Sequence, residues 1–142
     1  MIVKYKVLHP IQTPKRAVDG DVGYDIRSHI EKVLEPRQTR KIPTGLYLEL
    51  PRNTFGMICS KSGLALNYGI IVLNSPGIID SGYRGMVHVI LKNTSDTPHI
   101  ISHHNKIAQL IILKYCNIKF TPVSQLKDTA RGSKGFGSTG LK

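Results

Sequence analysis

Three clusters and a glycine-rich end of this 142-residue sequence combine carboxylates, basic side chains, hydroxyls and glycines in ways that suit phosphate chemistry. In Leu73-Asn-Ser-Pro-Gly-Ile-Ile-Asp-Ser-Gly-Tyr-Arg-Gly85, the pairs Pro76-Gly77 and Ser81-Gly82 signal turns on either side of the apolar step Ile78-Ile79. The pattern predicts a tight hairpin that presents Asn74, Asp80 and Tyr83 near one another. An Asn74 amide and hairpin backbone can satisfy the edge of a pyrimidine. Asp80 can orient and deprotonate a water, and Tyr83 can pack against a sugar. Asp before Ser-Gly also commonly makes a plain Asx-turn, and the residue types alone favour that simpler role.

In Ser60-Lys-Ser-Gly-Leu-Ala65, a short helix is expected over 62–67 with Ser62 as its cap. Free backbone N–H groups there, with Lys61, would bind an anion; an ordinary capped turn is the alternative. Asp19-Gly-Asp-Val-Gly-Tyr-Asp25 puts three carboxylates in seven residues. Asp21 and Asp25 could serve Mg²⁺ through water, although a solvated acidic turn is the default. The end of the chain, Gly135-Phe-Gly-Ser-Thr-Gly140, matches G-x-G-x-x-G literally. No helix can follow it to hold a pyrophosphate, and Ser138 stands where a Walker A loop needs lysine. Its chemistry still suits phosphate: glycines expose backbone N–H groups, Ser138 and Thr139 add hydroxyls, and Arg131 offers a fork. Phe136 could stack on a base or act as a packing anchor.

The elements that must position these residues read as strands. Helical periodicity is hard to find. Short runs rich in Ile, Val, Leu and Tyr recur at 2–8, 24–30, 46–50, 55–60, 70–73, 86–91, 100–102 and 107–115, separated by Gly, Pro, Asn and Asp. Many short strands at near-regular spacing predict an all-β sandwich, barrel or jelly roll. The chain divides into a β domain over 1–129 and a flexible Gly-rich lid over 130–142.

Composition bounds the rest. Hydrophobic residues at 40% and charged residues at 20% are a globular balance. No apolar run approaches the roughly 18 residues that span a bilayer, and the start lacks the apolar core of a secretory signal. Cys59 and Cys116 are expected as two ordinary buried thiols rather than a disulfide, and the setting as intracellular, cytoplasmic or nuclear. The net charge is 20 − 9 = +11, which attracts polyanions, including nucleic acid. It is spread out, with the pairs Lys15-Arg16 and Arg40-Lys41 as its longest runs, so a generally basic surface is the plainer reading. His99, His103 and His104 lack the support a zinc site needs.

Taken together, the clusters resemble the five ordered motifs of the trimeric dUTPase family. The matches are Gly23-Tyr-Asp-Ile26, Ser60-Lys-Ser-Gly-Leu64, Gly77-Ile-Ile-Asp-Ser-Gly-Tyr-Arg-Gly85, Lys106-Ile-Ala-Gln-Leu-Ile111 and Arg131-Gly-Ser-Lys-Gly-Phe-Gly-Ser-Thr-Gly140. Each is weak alone; five in family order across residues 23–140 are specific. The resemblance implies a jelly-roll or distorted β-barrel subunit with one short helix, in a threefold homotrimer with an exchanged C-terminal tail. It implies Mg²⁺-assisted hydrolysis of dUTP to dUMP and pyrophosphate, which keeps uracil out of DNA and supplies dUMP. In such proteins one subunit gives the first, second and fourth motifs, a second the hairpin and a third the tail. Carried over, Asn74 and the backbone of Gly77 and Ile79 would read uracil, and Tyr83 would lie under the deoxyribose. Asp80 would activate the attacking water. Lys61, Ser62, Gly63 and Gln109 would hold phosphate oxygens, and Asp25 would contact Mg²⁺ through water. Phe136 would close over the base, while Arg131, Gly137, Ser138 and Thr139 would grip the outer phosphates.

Family members usually carry Arg where this chain has Lys61, and Lys134 replaces a frequent glycine. Lentiviral members also resemble this chain in that Lys and in Gly82, which hints at a viral relative. A dCTP deaminase on the same fold would need a glutamate where Ile90 stands. A basic nucleic-acid-binding or regulatory protein without activity would have no need of Asp80, Tyr83, Gln109, Arg131 and Phe136 together.

Overall fold

The computed structural model describes residues 1–135. Its strands are β1 (Lys4–Val7), β2 (Tyr24–Arg27), β3 (Lys32–Leu34), β4 (Thr39–Glu49), β5 (Thr54–Cys59), β6 (Ile70–Val72), β7 (Gly77–Asp80), β8 (Met86–Asn93), β9 (His99–Ile101) and β10 (Lys106–Lys114). A 3-10 turn (Pro10–Gln12) follows β1, and a single α-helix, α1 (Ser62–Tyr68), follows β5. The strands form two four-stranded antiparallel sheets, ordered β1-β4-β8-β6 and β2-β10-β5-β7, and a short ribbon, β3-β9. This is the expected all-β jelly-roll layout, with open sheets rather than a closed barrel.

Alternation explains the sheets. Along β5 and β8 every second residue is buried, so the two sheets share one core that includes Ile26, Ile58, Ile79, Leu46, Val89 and Leu91. Each fully buried Ile or Leu contributes roughly 1.5–3 kcal/mol. The expected strands are all present, with ends shifted by a few residues. The first half of β4, Thr39 to Gly45, looks like a loop in sequence because it holds Arg, Lys, Pro and Gly. It is a strand because Ile42 and Thr44 point inward, with the Thr44 hydroxyl donating to Val87 O at 2.7 Å. A register shift between Pro43 and Tyr47, with Gly45 at φ +70°, absorbs the irregularity.

Two local expectations need correction. Ser62 is the first helical residue, not the cap; Lys61 occupies the cap position without a side-chain bond, and Gly69 at φ +65° ends the helix. Residues 77–80 are not the tip of a tight two-armed hairpin. They form β7, which pairs with β5 in one sheet, while the flanking β6 and β8 belong to the other. The chain crosses between sheets at both turns. After Lys114 no further strand occurs among the described residues, and residues 115–135 lie exposed except the half-buried Gly135. The two thiols are free as expected but not buried, since Cys116 falls in this exposed stretch and Cys59 is half-buried.

Candidate functional site

At one end of the second sheet, β2, β10 and β5 align Asp25, Gln109 and Cys59 in one row. The Asp25 backbone N–H donates to Lys15 O at 2.8 Å, fixing its strand. Its side chain is buried, at 5% exposure. Lys61 Nζ lies 2.5 Å from Oδ1 and Lys106 Nζ 2.7 Å from Oδ2, so each oxygen has its own ammonium. Burial pushes the Asp25 carboxyl up, but the hydrogen bonds from Lys106 and then Lys61 outweigh it and hold the group below its ordinary value. Gln109 lies against Gly23: a Cβ there would sit 3.1 Å from the Gln109 amide carbon and crowd this side chain where it folds over the strand. Beyond β5 the chain enters α1, whose first helical bond runs from Ala65 N–H to Lys61 O. The N–H groups of Ser62 and Gly63 precede it and have no partner within the helix. Ser62 and Gly63 are exposed, and a Cβ on Gly63 would meet nothing within 4 Å. Ammoniums, a free amide and unpaired N–H groups at one end make a site for anions.

The other part of the candidate site lies along β7. Asn74 folds back on Gly77, where an added Cβ would come 3.0 Å from the amide nitrogen. The Ser75–Pro76 peptide between them is cis. Asp80 is exposed, and its carboxylate has no ion pair among the described residues. The Tyr83 N–H donates to Asp80 O at 3.0 Å, and the Tyr83 hydroxyl donates to Met86 O at 2.9 Å. The Tyr83 ring occupies the space a side chain at Gly85 would fill. β7 is an edge strand, so one row of its backbone N–H and C=O groups faces away from β5.

Register sets the distance between these parts. Asp80 pairs with Phe55 and Gly77 with Ile58, whereas Gln109 and Asp25 align with Cys59. Four residues along β5 separate the Asp80 row from the Asp25 row, about 13 Å at the usual strand rise. Asn74 and Asp80 lie at opposite ends of β7, about 10 Å apart along the strand and not at one tip. Thus Asp25, Lys61, Gln109 and the start of α1 come together, Asp80 and Tyr83 come together, and one chain leaves the two groups apart. Arg131 joins neither: its Nε donates to Lys134 O at 3.2 Å within the tail's own turn. Phe136, Gly137, Ser138 and Thr139 lie outside the described residues.

Asp21 does not join Asp25; its carboxylate accepts from Val18 N–H at 3.0 Å and closes a turn. Among the described residues no group of three or more His, Cys, Asp or Glu side chains could cage a metal. A single ionised carboxylate beside an anion site fits the way Mg²⁺ is usually held, through water and substrate phosphates. Lys106 opens the fourth motif, but its role was not legible, because nothing in its spacing says that its side chain turns back to Asp25. A groove of about 630 Å³ lies elsewhere, lined by Val3, Asp21, Tyr24, Leu48 and Leu110 among others, and holds neither Asp25, Lys61, Gln109 nor Asp80. No helix among the described residues is long and apolar enough to cross a membrane.

Comparison with known proteins agrees with this layout. The sequence model of the dUTPase family matches residues 9–140. The chain is 46% identical over 129 residues to the deoxyuridine 5'-triphosphate nucleotidohydrolase of Alkaliphilus metalliredigens, covering 91% of this chain and 90% of that protein. It is 44% identical over 142 residues to the enzyme of that name from Paramecium bursaria Chlorella virus 1, covering 99% and 98%. Among solved structures, a point mutant of the Staphylococcus bacteriophage 80alpha dUTPase with dUpNHpp superposes with a TM-score of 0.91 at 26% identity, over 99% of both chains. A mutant dUTPase from phage phi11 of S. aureus, described with a structural Mg(II) ion, shares the fold with a TM-score of 0.82 at 22% identity, over 90% of this chain and 100% of that one.

Proposed function

The chain belongs to the dUTPase family and hydrolyses dUTP to dUMP and pyrophosphate, and we propose that it does so at sites assembled from three copies. One observation carries this reading: the anion site at Asp25 and the carboxylate of Asp80 are each well formed, yet in one chain they lie about 13 Å apart along the strands and on opposite edge strands of the sheet, about 14 Å apart across it. Closed threefold symmetry lets the Asp80 end of one copy face the Asp25 end of the next.

In that arrangement each group has a task suited to its surroundings. The outer edge of β7 offers alternating backbone donors and acceptors at Gly77 and Ile79, and Asn74 adds an amide, which matches the N3–H and carbonyl edge of uracil. Cytosine presents the opposite pattern at two of those atoms and would leave buried groups unpaired. The 10 Å from Asn74 to Asp80 suits the length of a nucleoside, with Tyr83 packed under the sugar. Asp80, exposed and uncommitted, orients a water and takes its proton as the water attacks the α-phosphorus. Lys61, Ser62, Gly63 and Gln109 hold phosphate oxygens, and their donors offset charge as it develops in the transition state. Asp25 is the residue that would hold Mg²⁺ through water, and the ion, when bound, neutralises phosphate charge. The segment 130–142 from a third copy serves as the lid: Arg131, Gly137, Ser138 and Thr139 grip the outer phosphates and Phe136 covers the base.

The test is pyrophosphate release from dUTP, dCTP, dTTP and UTP side by side, with and without Mg²⁺. The reading expects release from dUTP alone, stimulated by Mg²⁺. Ammonia from dCTP, or equal turnover of UTP, would overturn it.

A further inference from the structure

Asp25 carries one negative charge and has two ammoniums on it. A single lysine would neutralise it. We propose that Lys106 is a positioning residue: it stays on Asp25 so that Lys61 is free to leave the carboxylate for the phosphates of dUTP. This rests on the reading of the Asp25 end as the phosphate site.

The geometry favours an exchange. The two lysines use different oxygens, Lys61 on Oδ1 and Lys106 on Oδ2, so one leaves without displacing the other. Lys61 sits at the cap of α1, beside the unpaired N–H groups of Ser62 and Gly63. Lys106 comes from a different element, β10, where the register shifts between Lys106 and Ala108. Charge gives the reason for the second lysine. A triphosphate arriving beside a bare buried carboxylate meets a like charge, and removing one partner of a buried pair is strongly unfavourable. With Lys61 alone, the carboxylate would hold that lysine back from the substrate. With both, Lys61 moves from one anion to another while Asp25 remains neutralised. A flexible ammonium suits this movement better than a planar guanidinium fork would.

The experiment is calorimetric titration of the full chain with dUpNHpp, in EDTA so that no metal enters, together with turnover of dUTP and the melting temperature of each variant. Lys106→Met is expected to weaken binding about tenfold or more, and Lys106→Arg to restore it to within roughly threefold of the wild type. The decisive pair is Asp25→Asn against Asp25→Asn/Lys106→Met, which also serves if Lys106→Met alone does not fold. With Asp25 neutral, Lys106 has nothing left to compensate, so losing it changes affinity by less than roughly twofold. A tenfold loss in that background means that Lys106 touches the substrate itself and overturns the proposal, as does wild-type affinity in Lys106→Met. If the wild-type chain neither binds dUpNHpp nor hydrolyses dUTP, it is the functional reading that fails.

Discussion

The two ends of β5 hold their charges in opposite ways. Near Cys59, Asp25 is buried and clamped by two lysines, beside a glutamine pressed onto Gly23. Near Phe55, Asp80 is exposed and without an ion pair among the described residues. The donors of a phosphate site must be gathered at one place before the substrate arrives, with Lys61 held there on Asp25, because preorganisation is what makes such donors effective. A general base must stay uncommitted, because a carboxylate already tied to an ammonium is a poor proton acceptor. The fold meets both demands by keeping them apart in one chain.

Changes at the two ends should therefore differ in kind. Asp80→Asn should lower turnover by roughly 10²- to 10⁴-fold while dUTP still binds, measured by pyrophosphate release and by titration with dUpNHpp. Near-normal turnover would mean that the base lies elsewhere. Deleting 130–142 should raise KM and cut kcat together, with a fall in kcat/KM of roughly 10²-fold or more. Wild-type kinetics from the truncated chain would leave the lid without a role. Asp25→Ala should act on stability as well as binding. It leaves two partly exposed lysines facing each other, which can swing into solvent, so the loss is about 1–2 kcal/mol rather than the full value for a buried pair. Because the Asp25 carboxyl is held below its ordinary value, its stabilising contribution is present above about pH 4 and is lost as pH falls below that. Asp80→Ala should leave the melting temperature nearly unchanged.

The smallest effect lies outside the site. His9, His103 and His104 stack, with ring centroids 5.1 Å (His9–His104) and 3.8 Å (His103–His104) apart, and His29 meets His103 edge-on at 5.8 Å. Burial, then His103, His9, His29 and Arg27, hold His104 below the ordinary imidazole value. The folded chain thus prefers the neutral ring. Its contribution is complete above about pH 6.5 and declines as pH falls toward the lower folded value. His104 has φ +67°, which Asn tolerates well. His104→Asn should therefore flatten the melting temperature between pH 7 and 5, while Asp80→Asn should not.

The strands were legible because short runs rich in Ile, Val, Leu and Tyr are separated by Gly, Pro, Asn and Asp, and the helix because Leu64-Ala65-Leu66 follows Ser62. The first half of β4 was not, since its inward Thr44 is satisfied by Val87 O, 43 residues away, and local composition cannot reveal such a partner. The candidate residues were legible as types in five motifs. Their grouping was not: pairing register, which depends on the whole sheet, puts Asp80 opposite Phe55 and Asp25 beside Gln109. Lys106 escaped notice for the same reason, as its partner lies across the sheet.

Mixing two dead variants tests the divided site most directly. Asp80→Asn lacks the base and Lys61→Met the phosphate contact, and each should be nearly inactive alone. Unfolded together and refolded as mixed oligomers, they should regain about a quarter of wild-type turnover, because one site in four then draws an intact Asp80 and an intact Lys61 from different copies. If both residues act within one chain, the mixture stays as inactive as its parts, and that result would contradict the account.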